Sequence, residues 1–145
     1  MDEDKEKLLE EYLNGWKRAK ADLINYKKDE AKRFEDVVKF GNELLIYDLI
    51  TTLDAFNLAI ASLEKTNETD KGIYMIKSQL EDALKRHGLE RLAVSVGQQF
   101  DPTLHESISE IEDQSVKSGQ IVEEVEAGYT LNGKLIRPAR VKIAR

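Results

Sequence analysis

Apolar residues recur every three to four positions through the first part of the chain. A seven-residue frame from Leu9 places Leu9, Trp16, Leu23, Glu30, Val37 and Leu44 on one seam, with Tyr12, Ala19, Tyr26, Arg33, Phe40 and Tyr47 three residues after each. Ten of these twelve positions are apolar or aromatic, the pattern of a helix packed lengthwise on another helix. Glu30 and Arg33 interrupt it. No proline stops the pattern, so the spacing predicts one helix from about Lys5 to Leu45 or beyond, roughly 60 Å at 1.5 Å per residue. A rod longer than a domain of this size is wide cannot cover its stripe with its own chain. A second copy is the simplest cover, and a two-fold dimer the simplest closed solution.

From Asp48 to Leu63 the apolar positions Leu49, Ile50, Leu53, Phe56, Ile60 and Leu63 form a wide helical stripe. A polar connection, Glu64 to Asp70, follows. Asp70 reads as an N-cap for a third helix with Ile73, Ile76, Leu80, Ala83 and Leu84 on one side, and Lys85, Arg86 and His87 before Gly88 read as its stop. Two such helices per chain, doubled, make a four-helix bundle, with Leu53, Phe56, Ile60, Ile76 and Leu80 joining the seam residues as the dimer interface. After Gly88 the period becomes two: 91–96, 121–127, 128–131, 134–137 and 139–144 are short and β-branched, and Asn132-Gly133 is a strong hairpin signal. The fold class is therefore α+β: a long N-terminal stalk helix, two bundle helices and a small C-terminal all-β wing domain. The boundaries fall at 1–47, 48–88 and 89–145.

Composition sharpens this division. Both prolines and four of the eight glycines lie beyond Gly88, while residues 1–90 carry 15 basic and 20 acidic side chains against 7 and 8 in the remainder. The acidity belongs to the helical half, and a net charge of −6 argues against a general nucleic-acid surface. The absence of cysteine excludes a disulfide scaffold, a thiolate metal site and a cysteine nucleophile, and fits the cytoplasm. Asp2, Glu3 and Asp4 stand where a signal peptide would be basic, and no apolar run approaches the roughly 20 residues of a membrane span, so no membrane partner is expected.

Candidate chemistry is sparse. Asp101, His105 and Glu106 invite a metal or acid–base reading, but a chain with two histidines supplies no converging partners. A structural turn through Phe100, Asp101, Pro102 and His105 accounts for them, and a dipole contact at a helix end accounts for His87. No cofactor, metal or catalytic residue is expected. The basic stretch from Arg18 to Arg33 reads for the most part as a solvated helix face balanced by Asp22, Asp29 and Glu30. Asn67-Glu68-Thr69 reads as a polar loop. Gly72 is either a permissive first-turn residue or a point of close approach by a partner.

Five segments carry a resemblance. Arg18 to Lys28 (RAKADLINYKK), Leu49 to Ile60 (LITTLDAFNLAI), Lys85 to Glu90 (KRHGLE), Phe100 to Glu106 (FDPTLHE) and Gly128 to Ala144 (GYTLNGKLIRPARVKIA) resemble, in order, the GrpE family of nucleotide exchange factors for DnaK-type chaperones. The chain departs from the family at Thr51, usually Pro; at Leu58, usually basic or polar; and at Arg140, usually Met. The resemblance implies a homodimer that enters the nucleotide-binding domain of the chaperone with a β wing, opens its cleft and promotes ADP release. It places partner contacts at Asn25, Lys27 and Lys28 on the stalk, at Gly72, and at Val125, Gly128, Tyr129, Asn132, Gly133, Lys134, Arg137 and Val141 in the wing. The alternative, supported by the stalk alone, is a coiled-coil scaffold or holdase without a nucleotide-linked role.

Overall fold

The computed structural model describes residues 1–145. Three helices, α1 (Asp2–Phe40), α2 (Glu43–Lys65) and α3 (Lys71–Arg86), precede six strands, β1 (Leu89–Arg91), β2 (His105–Ile111), β3 (Ile121–Glu126), β4 (Tyr129–Leu131), β5 (Lys134–Arg137) and β6 (Ala139–Ala144). The α+β class and the helix-then-strand order are those expected. Two compact units emerge, Met1–Gly41 and Asn42–Arg145.

The first unit is α1 alone. Asp2, Glu3 and Asp4 in its first turn complement the positive end of the helix dipole. None of its residues is buried: Trp16 is 58% exposed, and Leu9, Tyr12, Leu23, Tyr26 and Val37 are equally open. The helical ladder breaks at Gly41–Asn42, earlier than the seam pattern predicts. Both residues are weak helix formers, and the break is local: Gly41 N–H still bonds Val37 O at 2.8 Å, while Asn42 O accepts from Ile46 N–H at 2.9 Å to begin α2. Thr51 lies inside α2. It keeps its N–H and leans its hydroxyl toward Tyr47 O at 3.4 Å, so α2 runs through the position unbroken.

Within the second unit α2 buries Ile46, Ile50, Leu53 and Ile60. Leu44, Tyr47 and Leu58 lie on the opposite side of the same helix and stay exposed, Leu58 at 74%. This two-sidedness raises the mean hydropathy of the stretch although each uninterrupted apolar run is short. An 18-residue window of the helical stretch Asp2–Lys65 reaches a mean hydropathy of 1.5, enough by length and composition alone. Asp70 caps α3 as expected, its carboxylate accepting from Gly72 N–H at 3.3 Å.

The strands form two three-stranded sheets, ordered β1-β4-β5 and β2-β6-β3. All pairings are antiparallel except β2 with β6, which is parallel. The β4–β5 hairpin closes on Asn132 and Gly133, both at positive φ (47° and 84°), as a two-residue turn matched to strand twist requires. Ile121, Ala139 and Val141 are the centre of the second sheet's core, with Val94, Phe100 and Ile143 packed against them. β2 lies outside every region that the alternation marks as a strand. Of the first expected strand region, 91–96, only Arg91 lies in a strand, as the last residue of β1, and residues 92–96 run irregularly from Leu92, held by Gly128 O, to Gly97, held by Ile121 O.

Gly88 joins helix to sheet. It has φ +91°, its carbonyl accepts from Asn132 N–H at 2.9 Å, and a Cβ there would lie 2.1 Å from Asn132 Oδ1. Gly133 shares the positive φ but faces open space. Gly133→Ala should therefore cost about 1 kcal/mol of conformational strain, and Gly88→Ala clearly more, because the Asn132 side chain must also move. Chemical denaturation of both variants checks this. Equal losses would mean the Gly88–Asn132 contact carries no weight.

Candidate functional site

Only part of the expected wing surface faces solvent. The turn residues Asn132, Gly133 and Lys134 are exposed, as is Val125 on β3. The Lys134 ammonium lies 3.1 and 3.3 Å from the two oxygens of Glu43, in the first turn of α2. Four other residues assigned to partner contact turn inward. Tyr129 and Val141 are core residues at 5% and 0% exposure. Gly128 is buried because no side chain fits: a Cβ would stand 2.4 Å from Ala139 N and 2.8 Å from Leu92 Cδ1.

Arg137 is the fourth. At 8% exposure, its guanidinium grips Asp54 of α2 through Nη1–Oδ2 (2.5 Å) and Nη2–Oδ1 (3.0 Å), and donates to Ala127 O from Nε (2.9 Å) and Nη2 (2.6 Å). Glu126 lies 3.5 Å away, and the Tyr129 ring sits beneath at 5.3 Å. Burial opposes the charge, but the hydrogen bond and charge of Asp54, with Glu126 and Tyr129, outweigh it, and the Arg137 pKa lies above its ordinary value. Nothing in the sequence near Arg137 signals this, since Asp54 lies 83 positions upstream.

The helical candidates divide similarly. Asn25, Lys27 and Lys28 are exposed along α1, as are Leu9, Tyr12, Trp16, Ala19, Leu23, Tyr26 and Val37 of the seam, while Phe40 is half-buried. On α2 and α3, Leu44 and Ile76 are exposed and Phe56 and Leu80 half-buried. Leu53 and Ile60, expected between copies, are instead buried by their own chain. Gly72 has room: only the Asp70 carboxylate comes within 4 Å of where a Cβ would be.

Arg140 has ionic partners on both flanking strands: Glu106 of β2 at 3.5 Å and Glu126 of β3 at 3.7 Å. Lys142 pairs with Glu123 at 3.0 Å on the same sheet. A cleft of about 460 Å³ lies beside Tyr129, with Leu53, Asn57 and Glu81 on the helices and Arg91 on β1. It carries charges of both signs, and no three metal-binding side chains converge anywhere in the chain.

The Phe100–Glu106 segment is a built turn. Asp101 Oδ1 accepts from Thr103 N–H (2.9 Å) and Oγ1 (2.6 Å), and buried His105 accepts Asp101 N–H on Nδ1 at 3.0 Å. The phenyl ring of Phe100 tilts against the imidazole at 5.9 Å. The hydroxyl and N–H of Thr103 hold the Asp101 carboxyl below its ordinary pKa of 3.8. A depressed carboxylate stabilises the fold above its unfolded pKa and loses that contribution as pH falls through the folded one. Thr103→Val should thus be less stable than the parent at pH 5–7, with the gap closing toward pH 2. A gap independent of pH would remove the carboxylate from the account.

The GrpE family profile matches residues 2–145. Protein GrpE of Bacillus subtilis (strain 168) is 38% identical over 139 residues, covering 94% of this chain and 74% of that protein. Protein GrpE of Methanobrevibacter smithii is 34% identical over 136 residues, covering 94% and 73%, and that of Bacillus velezensis 35% over 139, covering 94% and 72%.

Proposed function

The chain belongs to the GrpE family, and from that premise we propose that it is a cytoplasmic nucleotide exchange factor that binds the nucleotide-binding domain of a DnaK-type chaperone and promotes ADP release. The observation that carries the mechanism is the β4–β5 hairpin, a register-locked tip presenting Asn132, Gly133 and Lys134 to solvent. A protein that performs no chemistry on the nucleotide can release it only by binding the open cleft more tightly than the closed one. A stiff hairpin supports such discrimination, since a tip that followed the cleft as it closed would bind both states alike.

The working form in this reading is a homodimer. α1 has no buried residue, and Leu44, Tyr47 and Leu58 leave the outer side of α2 apolar. Pairing through α1 covers the seam, and pairing through the outer side of α2, with Ile76 of α3, builds the four-helix bundle. This moves the bundle contact away from Leu53 and Ile60, which the chain has already buried. Lys27 and Lys28 on α1 offer a secondary, electrostatic contact with the chaperone.

Sedimentation at micromolar concentration should give a dimer of the 16.6 kDa chain, and Leu58→Glu should weaken it while Leu53→Glu unfolds the second unit. A compact monomer would contradict the dimer. Stopped-flow release of labelled ADP should show acceleration by the wild-type chain and a lower apparent affinity for Lys134→Ala, on the order of 1 kcal/mol for a rim charge. Binding without acceleration would favour the scaffold reading.

A further inference from the structure

We propose that the Arg137–Asp54 pair is an orienting clamp that holds the β domain at one angle on α2, making Arg137 a positioning residue for nucleotide exchange. The inference rests on the exchange reading above and adds to it the element that stiffens the wedge. Arg137 ends β5, the strand that returns from the exposed turn, and Asp54 lies near the middle of α2. Their two parallel hydrogen bonds fix direction as well as distance, because a planar guanidinium meets a carboxylate as fork to fork. Two bonds to Ala127 O pin the same guanidinium to the β3–β4 corner, and the Tyr129 ring on β4 supports its face. One side chain therefore ties three strands to a helix. Other links to the helices include the β1–β4 ladder, which ties the hairpin to the strand following α3, and, at the turn end of the hairpin, the Asn132 N–H to Gly88 O bond and the exposed Lys134–Glu43 pair.

A β domain joined to the helices only through β1 and the turn end of the hairpin can pivot on α2, and a pivoting tip contacts an open and a closed cleft equally well. The clamp supplies a second point of attachment at the far end of β5, which removes that freedom. Loosening it should leave the contact residues unchanged, so binding should persist while the acceleration of release falls.

The chain has no cysteine, so Ser62→Cys on α2 and Ser109→Cys on β2, both exposed, accept spin labels at unique sites. With the labelled full-length chain diluted into unlabelled chain, pulsed dipolar spectroscopy should report one narrow distance for the parent. Asp54→Asn, which retains shape and removes charge, should broaden it, and so should Arg137→Lys, which retains charge and loses the fork. In ADP-release assays Asp54→Asn should lower the rate at saturating exchange factor at least fivefold while its affinity for nucleotide-free chaperone stays within twofold. A distribution that stays narrow in both folded variants overturns the clamp, and broadening with an undiminished saturating rate overturns the positioning role. If Asp54→Asn fails to fold, Arg137→Lys is read by the same criteria, and if both fail the pair is a folding determinant and the clamp is overturned. A parent chain that does not accelerate release defeats the exchange reading alone, because the distances still decide the clamp.

Discussion

Apolar surface that one chain cannot cover by itself sets the terms for the helical part of this protein. α1 runs for 39 residues without burying a side chain, yet it carries leucines, tyrosines and a tryptophan at helical spacing. Helices owe most of their stability to packing of such a face, so α1 alone has little to hold it beyond local pairs such as Glu30–Arg33 and Glu35–Lys39. α2 has the same excess in another form, with one side spent on its own chain and the other open. In the proposed dimer a second copy covers the apolar face of α1 and the open side of α2, each in its own unit.

The β domain solves the opposite problem. It is small, and two three-stranded sheets bury only short stretches, so its definition comes from fixed points. Gly88 admits the Asn132 amide where a side chain would exclude it, Gly128 admits the backbone at Ala139, and Arg137 spans the joint to α2. Each point lies beside the exposed turn or at the base of the hairpin that bears it. Ionic pairs such as Arg140 with Glu106 and Glu126 cover the second sheet's outer strands, where charge discourages edge-to-edge association.

The sequence discloses features whose cause is local. The Asp70 cap, the stop at Gly88, the Asn132-Gly133 turn and the Asp101 turn depend on neighbours a few residues away, and all are present. Features decided at long range are hidden. β2 begins in a turn motif and gains its identity from a parallel partner 34 residues later, at Ala139 opposite His105. Arg137, beside a proline near the chain end, is assigned by resemblance to a partner contact, since neither Asp54 nor the carbonyl of Ala127 is visible in its neighbourhood. Helical spacing names the apolar positions of α2 but not which side the chain takes for itself. Spacing alone therefore assigns Leu53 and Ile60 to the contact between copies, although their own chain buries them, and leaves the exposed Leu58 out of the stripe.

Differential affinity for an open cleft is the account's central claim, and thermodynamic reciprocity tests it without reference to any single residue. Binding of the full-length protein to its chaperone should be measured with and without saturating ADP, and ADP binding to the chaperone with and without saturating protein. The account predicts that each ligand weakens the other by the same factor, and that the factor is at least about fivefold, the lower end of typical allosteric coupling. Equal affinity for ADP-bound and nucleotide-free chaperone would contradict it.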